Sequence, residues 1–124
     1  MTRLLIVDDD ADILEALAVV LEGKHEVTTA SNGIEALGLL QSRPFDAMVL
    51  DLMMPLMDGE TLIGRMHDTG IAVPVVLASA SVDIVSLARR LGVDHITKPY
   101  DIAALEEKIA QLTHGSRSTA GESE

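Results

Sequence analysis

A chain of 124 residues with 48% hydrophobic content is a single domain's worth of sequence, long enough for one core. Its formal net charge of −11 argues against direct nucleic-acid binding, and the absence of cysteine excludes a disulfide framework and thiolate metal sites. No apolar stretch approaches the roughly 20 residues of a membrane span, and the N-terminus meets acid too early for a secretory signal, so a cytoplasmic protein with no membrane contact is expected.

Arg3 to Val7 reads as a short apolar strand that ends in Asp8-Asp9-Asp10. Ile13, Leu14, Leu17, Val20 and Leu21 then form one stripe of a 3.6-residue period, with Asp10 or Asp12 at the N-terminus of that helix. His25 to Ala30 is a second, less apolar strand. Ser31-Asn32-Gly33 caps a helix with Ile34, Leu37 and Leu40 on one side. Phe45 to Leu50 is the third strand, and Asp51 stands at its carboxyl end. Pro55 turns the chain, and Asp58-Gly59 begins a helix with Leu62, Ile63 and Met66 inward.

Val73 to Ala78 is the fourth strand, with Pro74 near its start where a missing donor is tolerated, and Ser79 follows directly. Val82 to Leu91 is a weaker amphipathic helix closed by Gly92. Asp94 to Thr97 is a short fifth strand leading into Lys98-Pro99, and Ile102, Leu105, Ile109 and Leu112 mark the last helix. Residues 114–124 are small and polar and read as a flexible tail or linker after a domain over 1–113. Phe45 and Tyr100 are the only aromatics, so the core must be aliphatic.

Five strand–helix alternations predict an α/β fold: a flavodoxin-like, doubly wound parallel (βα)5 sheet in the order 2-1-3-4-5, with the two more polar strands at its edges. In such a sheet ligands bind beyond the carboxyl ends of the strands. This sequence places Asp8, Asp9, Asp51, Ser79 and Lys98 there. Two like charges ~4 Å apart repel by about 4 kcal/mol at an effective dielectric near 20. Three converging carboxylates therefore call for a cation, and all-oxygen ligands favour Mg²⁺, with Mn²⁺ as the alternative. The same parts suit phosphoryl transfer, with Asp51 as nucleophile and Lys98, the Ser79 hydroxyl and the Ala80 backbone amide around the phosphoryl oxygens.

Four motifs carry a family resemblance: V-D-D at Val7 to Asp9, D-L-M-M-P-L-M-D-G at Asp51 to Gly59, A-S-A at Ala78 to Ala80, and K-P-Y at Lys98 to Tyr100. In this order and on these elements, the chain resembles the receiver domain of two-component response regulators over residues 3 to about 112. The resemblance implies a phosphorelay switch, phosphorylated on Asp51 by a sensor histidine kinase or phosphotransfer protein and read by a downstream effector protein or domain. It implies Mg²⁺ ligation by Asp9, Asp51 and the Met53 backbone carbonyl, with Asp8 acting through water, and a cis peptide between Lys98 and Pro99. It also implies that Ser79 and the residue three before Lys98, here His95, move on phosphorylation and remodel the face of helix 4, strand 5 and helix 5. A phosphorylation-dependent homodimer is compatible with this reading. The chain would catalyse only its own modification, without turnover of a free substrate.

Several of these residues have plainer readings. Asp8-Asp9-Asp10 alone is also what a helix N-cap cluster looks like, and Ser79 alone could cap the fourth helix. His95 on its own reads as an ordinary surface histidine. His25, His67 and His114 lack ligand spacing and are expected in solvent, as is the Glu106-Glu107-Lys108 face of the last helix.

Overall fold

A computed structural model describes the backbone of residues 2–122 and the side chains of residues 2–113. Five strands alternate with five helices: β1 Thr2–Val7, α1 Ala11–Leu21, β2 His25–Ala30, α2 Gly33–Ser42, β3 Ala47–Asp51, α3 Gly59–Asp68, β4 Val75–Ser79, α4 Ile84–Leu91, β5 Asp94–Thr97 and α5 Ile102–Glu122. The backbone of α5 thus runs past the end expected for the last helix. The side chains of the expected tail, 114–124, lie outside the described residues.

All four strand pairings are parallel, in the order β2-β1-β3-β4-β5. This is the flavodoxin-like α/β arrangement the alternation predicts. β3 and β4 are buried along their whole length, as strands covered on both faces must be, whereas β2 at one edge is only half-buried.

Successive residues of each strand serve opposite faces. Leu5, Val7, Met48, Leu50, Val75 and Leu77 pack with α2, α3 and the start of α4. Leu4, Ile6, Ala47, Val49, Val76 and Ala78 pack with Leu14, Leu17 and Leu21 of α1 and Leu105 and Ile109 of α5. Nearly every filler is aliphatic. Each fully buried Leu or Ile contributes about 1.5–3 kcal/mol relative to exposure, so the two layers together drive folding.

Local signals set the helix starts. Asp10 caps α1 by accepting from the amides of Asp12 and Ile13, Asn32 caps α2 through Glu35, and Asp58 caps α3 through Thr61. α4 is the exception. It begins at Ile84, two residues later than the amphipathic pattern suggests, and Asp83 at its N-cap makes no side-chain capping bond.

The structure corrects the inner faces of two helices. Val20 and Ile34, placed on the apolar stripes of their helices, are 50% and 57% exposed. The inner stripe of α1 is Leu14, Leu17 and Leu21, and that of α2 is Gly33, Ala36 and Leu40. Each helix rests on one sheet face only, so its buried stripe is narrower than its apolar one. His25 is also not in solvent. It is buried, and its Nε2 lies 2.8 Å from Oε1 of Glu106, which is itself only partly exposed. Lys108 is drawn in too, donating to Asp94 Oδ1 at 3.0 Å.

Candidate functional site

The polar residues at the carboxyl ends of the strands stand on fixed backbone. The Asp8 amide donates to the Ala30 carbonyl at 3.2 Å, the Leu52 amide to Ala78 at 3.0 Å, and the Lys98 amide to Ser79 at 2.9 Å. The ladder therefore continues one residue past β1, β3 and β5. Chain positions next to Asp51 and under Lys98 are held as rigidly as the sheet itself.

Asp8, Asp9 and Asp51 converge there. One carboxylate oxygen from each lies within 4.8 Å of the other two, with Asp8 and Asp51 buried and Asp9 exposed. Lys98 reaches over from β5, its Nζ 3.1 Å from Asp51 Oδ1 and 3.4 Å from Asp8 Oδ2. The other Asp8 oxygen accepts from the Asp10 amide at 2.9 Å. Lys98 precedes Pro99 through a cis peptide, as the resemblance implies.

Burial pushes the Asp51 carboxyl above the usual carboxylate range. The Lys98 hydrogen bond pulls it down, but the charges of Asp8 and Asp9 add to the upward push. Burial also works against the charge on Lys98. There the Asp51 hydrogen bond and the charges of Asp51 and Asp8 outweigh it, and its pKa sits above that of ordinary lysine. The asymmetry has a simple cause. Lys98 has two carboxylates within reach, Asp8 and Asp51, whereas Asp51 shares that single ammonium and is buried beside further acid.

Three carboxylates and one ammonium leave a formal charge of −2 in a partly desolvated site, and the exposed donor, Asp9, is on the open side. Oxygen donors at this spacing, with that charge deficit and one entry side, fit a hard divalent cation such as Mg²⁺.

The other predicted residues surround this group without joining it. Ser79 is buried at the end of β4, and its Oγ accepts from the Ser81 amide at 3.0 Å, so it is not the cap of α4. Ala80 is exposed and lines, with Lys98, a hollow of about 430 Å³ whose other walls include Ile13, Leu17, Pro99 and Tyr100. Burial holds the Tyr100 phenol above its ordinary pKa. Met53 turns a 71% exposed side chain to solvent, which leaves its backbone as what it can offer. His95 stands half-buried on β5, opposite Leu77 in register.

Two glycines near the site escaped the sequence reading, which treated them as helix-opening residues. At Gly59 a Cβ would meet the Asp51 carbonyl oxygen at 3.0 Å and Leu52 Cα at 3.1 Å. At Gly33, far away in sequence, a Cβ would fall 2.7 Å from the Met57 carbonyl oxygen. The D-G pair in the Asp51 motif was the signal for the first; no local signal existed for the second.

Comparison with known proteins gives a consistent result. The response regulator receiver domain family matches residues 4–110. The chain is 39% identical over 124 residues to the transcriptional regulatory protein PrrA of Mycobacterium tuberculosis, covering 95% of this chain and 52% of that protein. It is 44% identical over 95 residues to response regulator receiver protein Anae109_2439 of Anaeromyxobacter, covering 74% of this chain and 40% of that protein. The chain thus spans about half or less of the curated relatives it matches. Among solved structures, the receiver domain of Francisella response regulator 1452 superposes with a TM-score of 0.87 at 30% identity, covering 94% of this chain and 99% of that one. Chemotaxis protein CheY4 of Vibrio cholerae superposes with a TM-score of 0.79 at 25% identity, over 90% of this chain and 98% of that one.

Proposed function

The chain belongs to the response regulator receiver family of two-component signalling, and from that we propose that Asp51 is its phosphoacceptor, charged by a sensor histidine kinase or phosphotransfer protein in a Mg²⁺-dependent reaction. The observation that carries this is the Asp8, Asp9, Asp51 and Lys98 group, where one buried carboxylate is bonded to an ammonium at 3.1 Å beside two further acids.

In the proposed step an Asp51 oxygen attacks the phosphorus of a phosphohistidine. The P–N bond breaks, its electron pair leaves with the donor imidazole, and an acyl phosphate forms on Asp51. Asp9, Asp51 and the Met53 carbonyl, with Asp8 through water, would hold the Mg²⁺ (or Mn²⁺), which supplies charge neutralisation at the phosphoryl group. Lys98, already within reach of Asp51, pairs with a second phosphoryl oxygen. The Ser79 hydroxyl and the Ala80 amide receive the third. The apolar hollow beside Lys98 gives a protein donor something to pack against while its histidine reaches in.

The proposed switch involves the same residues. When the Ser79 hydroxyl turns to the phosphoryl group it leaves the Ser81 amide. The β4–α4 connection then loosens next to the one helix start that lacks a side-chain cap. His95, on the neighbouring strand, turns toward the vacated space, and the surface of α4, β5 and α5 changes for a downstream effector or for a second phosphorylated copy. Relatives named as transcriptional regulators are about twice as long, which supports an effector domain as the reader. No described helix is long and apolar enough to cross a membrane, which accords with a cytoplasmic switch. The only catalysis proposed is of its own phosphorylation and dephosphorylation. Incubation with Mg²⁺ and acetyl phosphate is expected to add one acid-stable, base-labile phosphoryl mass. An unchanged mass, or a gain that survives Asp51→Asn, overturns the proposal.

A further inference from the structure

Between Asp51 and α3 the chain closes a short loop. The Leu52 amide is tied to Ala78, and the Leu52 carbonyl accepts from the Gly59 amide at 2.9 Å, so both ends are fixed. Within it, the Met57 amide donates to the Pro55 carbonyl at 2.8 Å around Leu56, whose φ is +71°. That is a γ-turn of the rare, strained hand. Leu56 is 79% exposed, so its own side chain gains nothing from the arrangement.

The strained turn carries Met57 onto Gly33, the first residue of α2. A Cβ there would lie 2.7 Å from the Met57 carbonyl oxygen, 2.8 Å from its Cβ and 2.9 Å from its Cγ. Two of these atoms belong to the backbone or branch directly from it, so no side-chain rotation relieves the overlap. The helix is the stiffer partner. Asn32 accepts from the Glu35 amide at 2.8 Å, the Glu35 carboxylate accepts from the Ser31 amide at 2.8 Å and hydroxyl at 3.1 Å, and Ala36 and Leu40 anchor the inner face.

We infer that Gly33 is a positioning residue for the Asp51 loop: its missing side chain is the seat on which Met57 closes that loop and so fixes the Met53 carbonyl relative to the Asp9 and Asp51 carboxylates. The inference rests on the phosphoacceptor reading, in which those groups hold Mg²⁺. Displacing groups that orient metal ligands commonly weakens metal affinity by about 10–100-fold.

Gly33→Ala is therefore expected to speed amide hydrogen exchange at Met57 and Gly59 in the metal-free protein, and to weaken Mg²⁺ binding about tenfold by calorimetry. Gly38→Ala lies in the same helix with nothing within 4 Å of its Cβ, and is expected to leave both unchanged. Met57→Ala approaches the seat from the loop side, is expected to act in the same direction, and carries the test if Gly33→Ala does not fold. Wild-type Mg²⁺ affinity in the folded Gly33→Ala protein, or in Met57→Ala should it stand in, overturns the inference, as does an equal loss in Gly38→Ala. A wild-type protein that neither binds Mg²⁺ nor gains a phosphoryl group overturns the phosphoacceptor reading and the inference with it. If the wild type does both, a null result overturns the Gly33 role alone.

Discussion

At the amino end of the sheet Arg3 and Asp46 meet through backbone and side chain together. The Arg3 amide donates to Asp46 Oδ2 at 2.8 Å, its guanidinium adds bonds at 3.3 Å, and the Asp46 amide returns one to the Arg3 carbonyl at 2.8 Å. At the carboxyl end Asp51 has one ammonium to share with Asp8 and further acid beside it. The Arg3 hydrogen bonds hold the Asp46 carboxyl below the usual range, whereas burial holds Asp51 above it. Both ends of a parallel sheet must deal with polar chain ends, and this protein satisfies one and leaves the other short of positive charge. Such a shortfall costs stability unless a ligand makes it up, and it is there that binding is expected.

The largest effect expected from breaking this contrast is at Lys98. Lys98→Ala removes the cation paired with Asp51 and Asp8 and is expected to slow phosphorylation from acetyl phosphate by about 10²-fold or more, with the fold retained. A rate within threefold or so of wild type would mean the ammonium has no part in the transition state.

At the amino end, His25→Ala is expected to cost about 2 kcal/mol of stability, because it vacates a buried site and leaves Glu106 with only the longer 4.0 Å contact to Lys24. Chemical denaturation measures it, and Asp51 phosphorylation should be unaffected. Leu56→Gly is expected to stabilise the metal-free protein by roughly 1 kcal/mol, since glycine adopts a φ of +71° without strain and an exposed leucine loses little contact. A loss of stability would show that the exposed leucine side chain contributes more than its turn costs.

The smallest effect is at Asp46. Its pair with Arg3 is 45% and 38% exposed, so Asp46→Ala should cost only about 0.5–1 kcal/mol. The two carboxylates also predict opposite responses to acid. Asp46, with its folded pKa below the ordinary 3.8, contributes stability that is present above that value and lost as pH falls through the folded pKa. Asp51, raised above 3.8, binds more protons folded than unfolded between the two pKa values, so its burial penalty is relieved as pH falls through that window. Asp51→Asn should therefore raise metal-free stability at neutral pH and remove the acid-induced gain above about pH 4. Identical pH profiles for wild type and Asp51→Asn would show that Asp51 carries no such penalty.

How much of this was legible beforehand depends on distance along the chain. Asp8, Asp9, Asp51, Ser79 and Lys98 could each be read from the end of a local apolar run, and parallel topology then brought them to one edge. The strand order followed from which runs were most apolar. What local reading misses is pairing across the fold. His25 and Glu106 are separated by 81 residues, and neither shows in its own neighbourhood that the other exists. Gly33 and Met57 are invisible to each other for the same reason. Val20 and Ile34 failed differently. Periodicity gives the apolar face of a helix, but how wide a stripe is covered depends on the sheet and helices beside it.

Tyr100 gives the molecule a practical property. It is the only tyrosine, and the chain has no tryptophan. It sits half-buried against the same hollow as Lys98, two residues from that ammonium and close enough to feel the charges of Asp8 and Asp51. Its ultraviolet emission therefore comes from a single place beside the site. A change of charge at Asp51 is expected to alter that emission in the native protein, without a dye and without a mutation.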